Sequence, residues 1–226
     1  MSQFTEKSVT AIEEAELCRR MFAHPILARE LSEKLGFTGA FRGMFEIPTR
    51  QLVPDAPGPG DIDLIACDPA HAQETHVFQV KRVKVSERTF ANMAPTKLER
   101  CEHGVIQTNL LGGLGFHRTW LLVVVVTDGR ERPALNFFCR GITFELMDVV
   151  VSHPLFNDLA PEAGLAFVFL DQPVDKDISL AGGFHIDVRR RPSNHQQPDW
   201  LTAAVRELFA QRTAPGGGGE SGESSD

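Results

Sequence analysis

None of the four cysteines, Cys18, Cys67, Cys101 and Cys139, stands in a Cys-x-x-Cys pair. A structural zinc site of closely spaced thiolates is therefore excluded, and the thiols are expected to be reduced and packed. No apolar run approaches the ~20 residues needed to cross a bilayer, the longest being Trp120 to Val126. Met1 to Glu16 carries Glu6, Glu13, Glu14 and Glu16 and lacks a basic-then-apolar leader pattern, so a cytoplasmic location is the expectation. The eight histidines form no His-x-x-x-His or Glu-x-x-His pair, which argues against a zinc hydrolase. Gly112-Gly113-Leu114-Gly115 follows a helical pattern, so it reads as a helix stop and not as a dinucleotide loop. An excess of positive charge is also missing. The formal net charge is −7, so any attraction to nucleic acid must be local and not spread over the whole surface.

What remains is an ordinary globular composition, 42% apolar and 23% charged over 226 residues, with no internal repeat and no linker that would cut the chain in two. Residues 1–213 are expected to form one domain. Residues 214–226, rich in Gly, Ser and Glu, have nothing apolar to bury and are expected to be disordered. Val9 to Phe22 and Pro25 to Leu35 read as helices, Gly36 closing the second. Met44 to Val53, 61–67 and 76–85 read as strands, with 68–74 a hairpin loop. Leu98, Cys101, Val105, Ile106, Leu110 and Leu111 recur at helical spacing, and Trp120 to Val126 has the unbroken apolar character of a strand covered on both faces. The order is α-β-β-β-α-β. Beyond it, 134–138, 165–170 and 184–188 read as strands and 198–211 as an amphipathic helix.

The second and third strands carry the chemistry. In Gly60-Asp61-Ile62-Asp63-Leu64-Ile65-Ala66, alternation sets Ile62, Leu64 and Ala66 on one face and Asp61, Asp63 and Ile65 on the other; in Val77-Phe78-Gln79-Val80-Lys81-Arg82, Phe78 and Val80 oppose Val77, Gln79 and Lys81. If these strands pair, Asp63, Gln79 and Lys81 share a face. Oxygen ligands for a divalent ion would then lie beside an ammonium that can face a phosphate.

This pattern resembles the active-site hairpin of the PD-(D/E)XK nuclease superfamily, and its Gln-X-Lys form is similar to that of Mrr-type restriction endonucleases. The resemblance covers about residues 26–127. It implies a restriction-endonuclease-like α/β core, with a mixed central sheet flanked by helices; residues 128–213 lie outside the resemblance and read, from the strand and helix patterns above, as C-terminal α/β additions. The implied activity is Mg²⁺- or Mn²⁺-dependent endonucleolytic hydrolysis of DNA, with RNA the other candidate substrate. Asp63 would hold the ion, the Gln79 amide oxygen and the Val80 carbonyl would complete the protein ligands, and Lys81 would orient the attacking water and stabilise the developing charge. Gln79 departs from the usual acidic ligand and leaves the cation one charge short. Glu46, a polar insertion between Phe45 and Ile47, is the favoured compensating carboxylate. Glu30 belongs to a helix face with Glu33 and Lys34 that reads as solvated.

Arg82, Lys84, Arg88, Lys97, Arg100 and Gln107 supply the expected phosphate-contacting neighbourhood, which Arg189-Arg190-Arg191 could extend if the fold brings it near. The basic residues up to Arg100 would also suit a solvated strand end and helix start, whereas Gln107 reads better as an ordinary helix-surface amide and the arginine triplet as solvated. The contrasting reading keeps the fold without the reaction: a nuclease-like module with a degraded metal site that binds nucleic acid or a protein partner. The sequence fixes no oligomeric state, and a homodimer is compatible with it.

Overall fold

The computed structural model describes residues 13–37, 41–56, 60–85, 98–128, 143–172 and 183–213. The expected tail at 214–226, the strand at 134–138, Arg88 and Lys97 lie outside them. One six-stranded mixed sheet organises the described residues: β1 (Arg42–Pro48), β2 (Asp61–Cys67), β3 (His76–Val85), β4 (Arg118–Asp128), β5 (Gly164–Gln172) and β6 (Phe184–Arg190), adjacent in that order. β1, β2 and β3 are antiparallel neighbours, β3, β4 and β5 run parallel, and β6 returns antiparallel to β5.

Helices α1 (Glu14–Ala23) and α2 (Pro25–Leu35) cover one face. Leu17, Cys18, Met21, Leu27, Leu31 and Leu35 meet Leu64, Phe78, Val80, Trp120, Leu122 and Val124 there. Pro25 fits the first turn of α2 because its missing N–H has no intrahelical partner to lose, and Gly36 ends the helix in the left-handed region at φ 74°. The short helix α3 (Thr49–Leu52) follows β1, so the expected first strand stops at Pro48. Proline has no N–H to extend the ladder, and Thr49 turns its own N–H and hydroxyl back onto the Gly60 carbonyl.

On the opposite face lie α4 (Arg100–Gly112), α5 (Phe144–Val151) and α6 (Asp199–Thr213). α4 and α5 pack over Leu121, Val123, Val125, Phe167 and Phe169, and α6 over Ile62, Ile65 and Val77. The strand β4 thus sends alternate residues into two cores, which is why its sequence shows no polar alternation. The expected hairpin loop is a 3₁₀ segment, Pro69–Glu74, capped by the Asp68 carboxylate on the Ala70 N–H. No helix among the described residues is long and apolar enough to cross a membrane.

One irregularity positions the site. β1 pairs with β2 through Phe45 and Leu64 and again through Ile47 and Ile62, but skips Glu46 and Asp63 between them. Glu46 has φ 52° and is the one non-glycine among the described residues with positive φ. This kink corrects the expected alternation: Leu64 faces the α1–α2 core while Ile62 joins Ile65 in the α6 core. Both strands change pleat at the Glu46–Asp63 step.

Candidate active site

Asp63 stands where β2 leaves β3. Ladder pairs between the two strands run over Leu64, Ile65 and Ala66 with Phe78, Val77 and His76, and stop before Asp63. In place of a backbone carbonyl, the Asp63 Oδ2 accepts the Val80 N–H at 2.7 Å. A carboxylate is thus wedged into the opening between the strands.

Lys81 lies beside it. Its Nζ is 3.6 Å from Asp63 Oδ2 and 3.6 Å from Glu14 Oε1. The other Glu14 oxygen accepts the Arg82 N–H at 2.7 Å, so this first residue of α1 is fixed to β3 next to the lysine that it pairs with. The lysine stem crosses α4 at Gly104, where a side-chain Cβ would come within 2.6 Å of Lys81 Cγ. Burial pushes the Asp63 carboxyl above its ordinary range, and the Glu14 charge adds to this; Lys81 and the Val80 N–H pull the other way.

A cavity of about 370 Å³ opens on Asp63 and Glu14, lined also by Glu13, Cys18, Glu46 and Val80; neither Lys81 nor Gln79 lines it. Burial, reinforced by the Asp63 and Glu14 charges, pushes the Cys18 thiol upward, so it stays protonated and is no nucleophile. Glu46, the favoured extra ligand, reaches this cavity but pairs with Arg19 of α1. Glu30 pairs with Arg29 and does not line the cavity. Gln79 is buried, its Nε2 donating to the Asp61 carbonyl at 2.8 Å, while its Oε1 accepts nothing from the described residues.

The remaining expected residues divide. Arg82 is half-buried with its Nη1 enclosed and without a hydrogen-bond partner among the described residues. Lys84 is half-buried farther along β3, Arg100 is exposed at the start of α4, and Gln107 is half-buried one turn beyond Gly104. None of the described hydrogen bonds ties Gln107 to Asp63, Gln79 or Lys81. Glu14 is the residue that sequence reasoning passed over. A signal existed: Leu17, Cys18 and Met21, three, four and seven positions on, are all buried, which places this glutamate on the covered face of α1 and not among solvated acids.

The donor set suits a hard cation in part. Asp63 and Glu14 offer two carboxylates about one ammonium, and the unpaired Gln79 Oε1 is a buried oxygen in want of a partner. No group of three or more His, Cys, Asp or Glu side chains among the described residues is arranged to hold a metal, so a cation here would keep much of its water, as Mg²⁺ commonly does. Comparison with protein-family models, with curated proteins and with solved structures finds no match.

Proposed function

We propose that this protein is a Mg²⁺- or Mn²⁺-dependent endonuclease that hydrolyses phosphodiester bonds in DNA, built on a restriction-endonuclease-like core. The observation that carries the reading is the Lys81 ammonium, 3.6 Å from the Asp63 and Glu14 carboxylates at the point where β2 and β3 part. The order α2, β1, β2, β3, α4, β4, with the short α3 set between β1 and β2, agrees with it. So does the unpaired Gln79 Oε1 beside a strand opening.

In this reading Asp63, Glu14, Gln79 and the Val80 carbonyl would hold the cation, with Glu46, which lines the same cavity as Asp63, in reserve. The bound ion would supply Lewis-acid stabilisation of charge on the phosphate. Lys81 is the group that faces the phosphate: its ammonium, poised between two carboxylates, can exchange one of them for a phosphate oxygen as negative charge grows. Asp63 keeps Lys81 placed and, through its bond to the Val80 N–H, keeps the strand opening from closing into a ladder. The raised Asp63 carboxyl is what a cation would relieve, since a positive charge offsets the burial of the anion.

Purified protein incubated with plasmid and linear DNA, and with RNA in a parallel arm, should cut DNA when Mg²⁺ or Mn²⁺ is added. Asp63→Ala and Lys81→Met should each lower the rate by at least about 10²-fold. Full cutting by both variants would overturn the site assignment. Binding of DNA without cutting by the unaltered chain would favour the non-catalytic module.

A further inference from the structure

We propose that Arg118 and Arg191 form a second phosphate-binding site, one that takes a phosphodiester group of the nucleic-acid backbone; the choice of nucleic acid as its source rests on the nuclease reading. The arginine triplet that follows the β6 pattern meets three different fates. Arg189 pairs with Asp187 at 2.9 Å. Arg190 turns inward and donates to the carbonyls of Leu159, Ala160 and Ala163. Arg191 is exposed and makes no hydrogen bond or ion pair with the described residues.

Its neighbour is another cation. A Cβ built on Gly36, at the end of α2, would lie 3.3 Å from Arg118 Nη1 and 3.4 Å from Arg191 Nη1, so two guanidinium groups converge over one glycine. Arg118 donates from Nη1 to the Gly36 carbonyl and from Nε to Asn194 Oδ1. The carbonyl end of α2 accounts for one positive charge there. It does not account for a second: neither arginine forms an ion pair with a described residue, although the Glu74 charge acts on Arg118. Lys34, exposed in the last turn of α2, adds to the same positive field. Burial, and then repulsion from Arg191, pulls the Arg118 guanidinium below its ordinary value, against the opposing Glu74 charge.

A phosphate fits this arrangement because its several oxygens can accept from the planar Arg191 fork and from the donors that Arg118 has left after Gly36 and Asn194. A glycine at 36 leaves the approach open. The position also makes sense for a duplex held at the Asp63 cavity. Lys81 pairs with Val123 on β4, and Arg118 precedes Val123 by five positions on that strand, a span of roughly 16 Å at about 3.3 Å per residue. That is about five phosphates, or half a turn, along B-form DNA. Both sites border the α1–α2 layer, so an otherwise acidic molecule offers cationic contact at some distance from an acidic cavity.

The test is metal-free binding of a fluorescent duplex, measured by anisotropy in EDTA across a salt series. Arg191→Glu should weaken binding roughly tenfold at low salt and reduce the log–log salt slope by about one. Arg206→Glu, the same charge change at an exposed position on α6, should alter affinity less than about twofold. Equal losses in the two variants, or no duplex binding by the unaltered protein, would overturn the proposal. A thermal shift with inorganic phosphate separates the two sources: protection that Arg191→Glu abolishes, together with duplex binding that it leaves unchanged, would mark a free-phosphate site and sink the nucleic-acid assignment. Because no cleavage is read, a protein that binds through Arg191 and never cuts upholds this site while the hydrolytic reading fails.

Discussion

Gly104 and Lys81 are so closely opposed that a methyl group on the glycine would lie 2.6 Å from the lysine Cγ and 3.1 Å from its Cε. Glycine inside a helix ordinarily costs about 1 kcal/mol relative to alanine. Its presence in the first half of α4 therefore has a local reason: the helix must let the lysine stem pass on its way to Asp63 and Glu14. Gly104→Ala should regain helix propensity and spend it on displacing Lys81, leaving stability within about 1 kcal/mol of the original. The rate of DNA cleavage should fall about 10²-fold, because misplacement by an ångström is enough for that. Thermal melts and initial cleavage rates on the same preparation check both parts. An unchanged rate would show that Lys81 does not depend on this passage.

The Asp63 carboxylate is held at a cost, and pH exposes it. Burial raises its folded-state pKa above the ordinary 3.8. Above that raised value the folded state carries a penalty for the buried anion. As pH falls through it the folded state takes up a proton before the unfolded state does, and the penalty disappears. Asp63→Asn, which keeps an oxygen for the Val80 N–H, should therefore be more stable than the original chain near pH 8. Its advantage should shrink steadily as the medium is acidified. Both chains share an acid-limb loss of stability from His76, whose imidazole burial holds at about 3, so the difference between them isolates Asp63. Urea titrations at several pH values measure it, and a difference independent of pH would contradict the burial argument.

The fold was legible in the sequence wherever burial was regular. Trp120 to Val126 reads as a doubly covered strand, and its alternate side chains enter opposite cores. Asp63, Gln79 and Lys81 were legible as residues because charge or amide on an apolar strand stands out. The break in alternation at Ile62 was not, since it arises from the backbone of Glu46 on a neighbouring strand, and no local periodicity records that. The Glu14 bond to the Arg82 N–H joins residues 68 apart in the chain; the covered face of α1 hinted at it, but its partner could not be read. Helix α5 was missed although Thr143 caps it through the Leu146 N–H. Its run of valines, Val149 to Val151, suits a strand as well as a helix, and tertiary packing decided the matter.

The kink at Glu46 predicts an unusual mutational sign. A residue with a side chain costs roughly 1–2 kcal/mol in the left-handed region, and glycine avoids that at an entropic expense of about 0.5–1 kcal/mol. Glu46→Gly and Glu46→Ala both lose the half-exposed pair with Arg19, which is worth about 0–1 kcal/mol. Their difference therefore reports the backbone alone. Glu46→Gly should be the more stable of the two by about 1 kcal/mol in urea denaturation, against the usual preference for alanine. A reversed order would mean that φ at this position carries no strain. If Glu46 also contributes to the cation, both variants should need more Mg²⁺ or Mn²⁺ for half-maximal cutting.

Gln79 bears most directly on the chemistry. Its side chain is 2% exposed and its amide donates to the Asp61 carbonyl. Glutamate in its place cannot make that bond as an anion, and it would bury a second carboxylate on β3, next in sequence to the Val80 that Asp63 bonds. Without a cation, Gln79→Glu should lose about 3 kcal/mol, a fall in Tm of roughly 6–12 °C for a chain of this size. A divalent cation that binds between residues 63 and 79 should return most of that loss, because binding to the folded state alone stabilises it in proportion to the logarithm of concentration over Kd. The unaltered protein, one charge poorer, should gain less from the same Mg²⁺ or Mn²⁺. Melts in EDTA and in 10-fold steps of metal decide the point: a large metal-dependent recovery in the variant places a cation at this gap, and no recovery removes the metal from the proposed site. Cleavage then sorts the glutamine itself. Faster cutting by Gln79→Glu marks a weakened ligand, whereas lost cutting with restored stability marks an amide that the reaction requires.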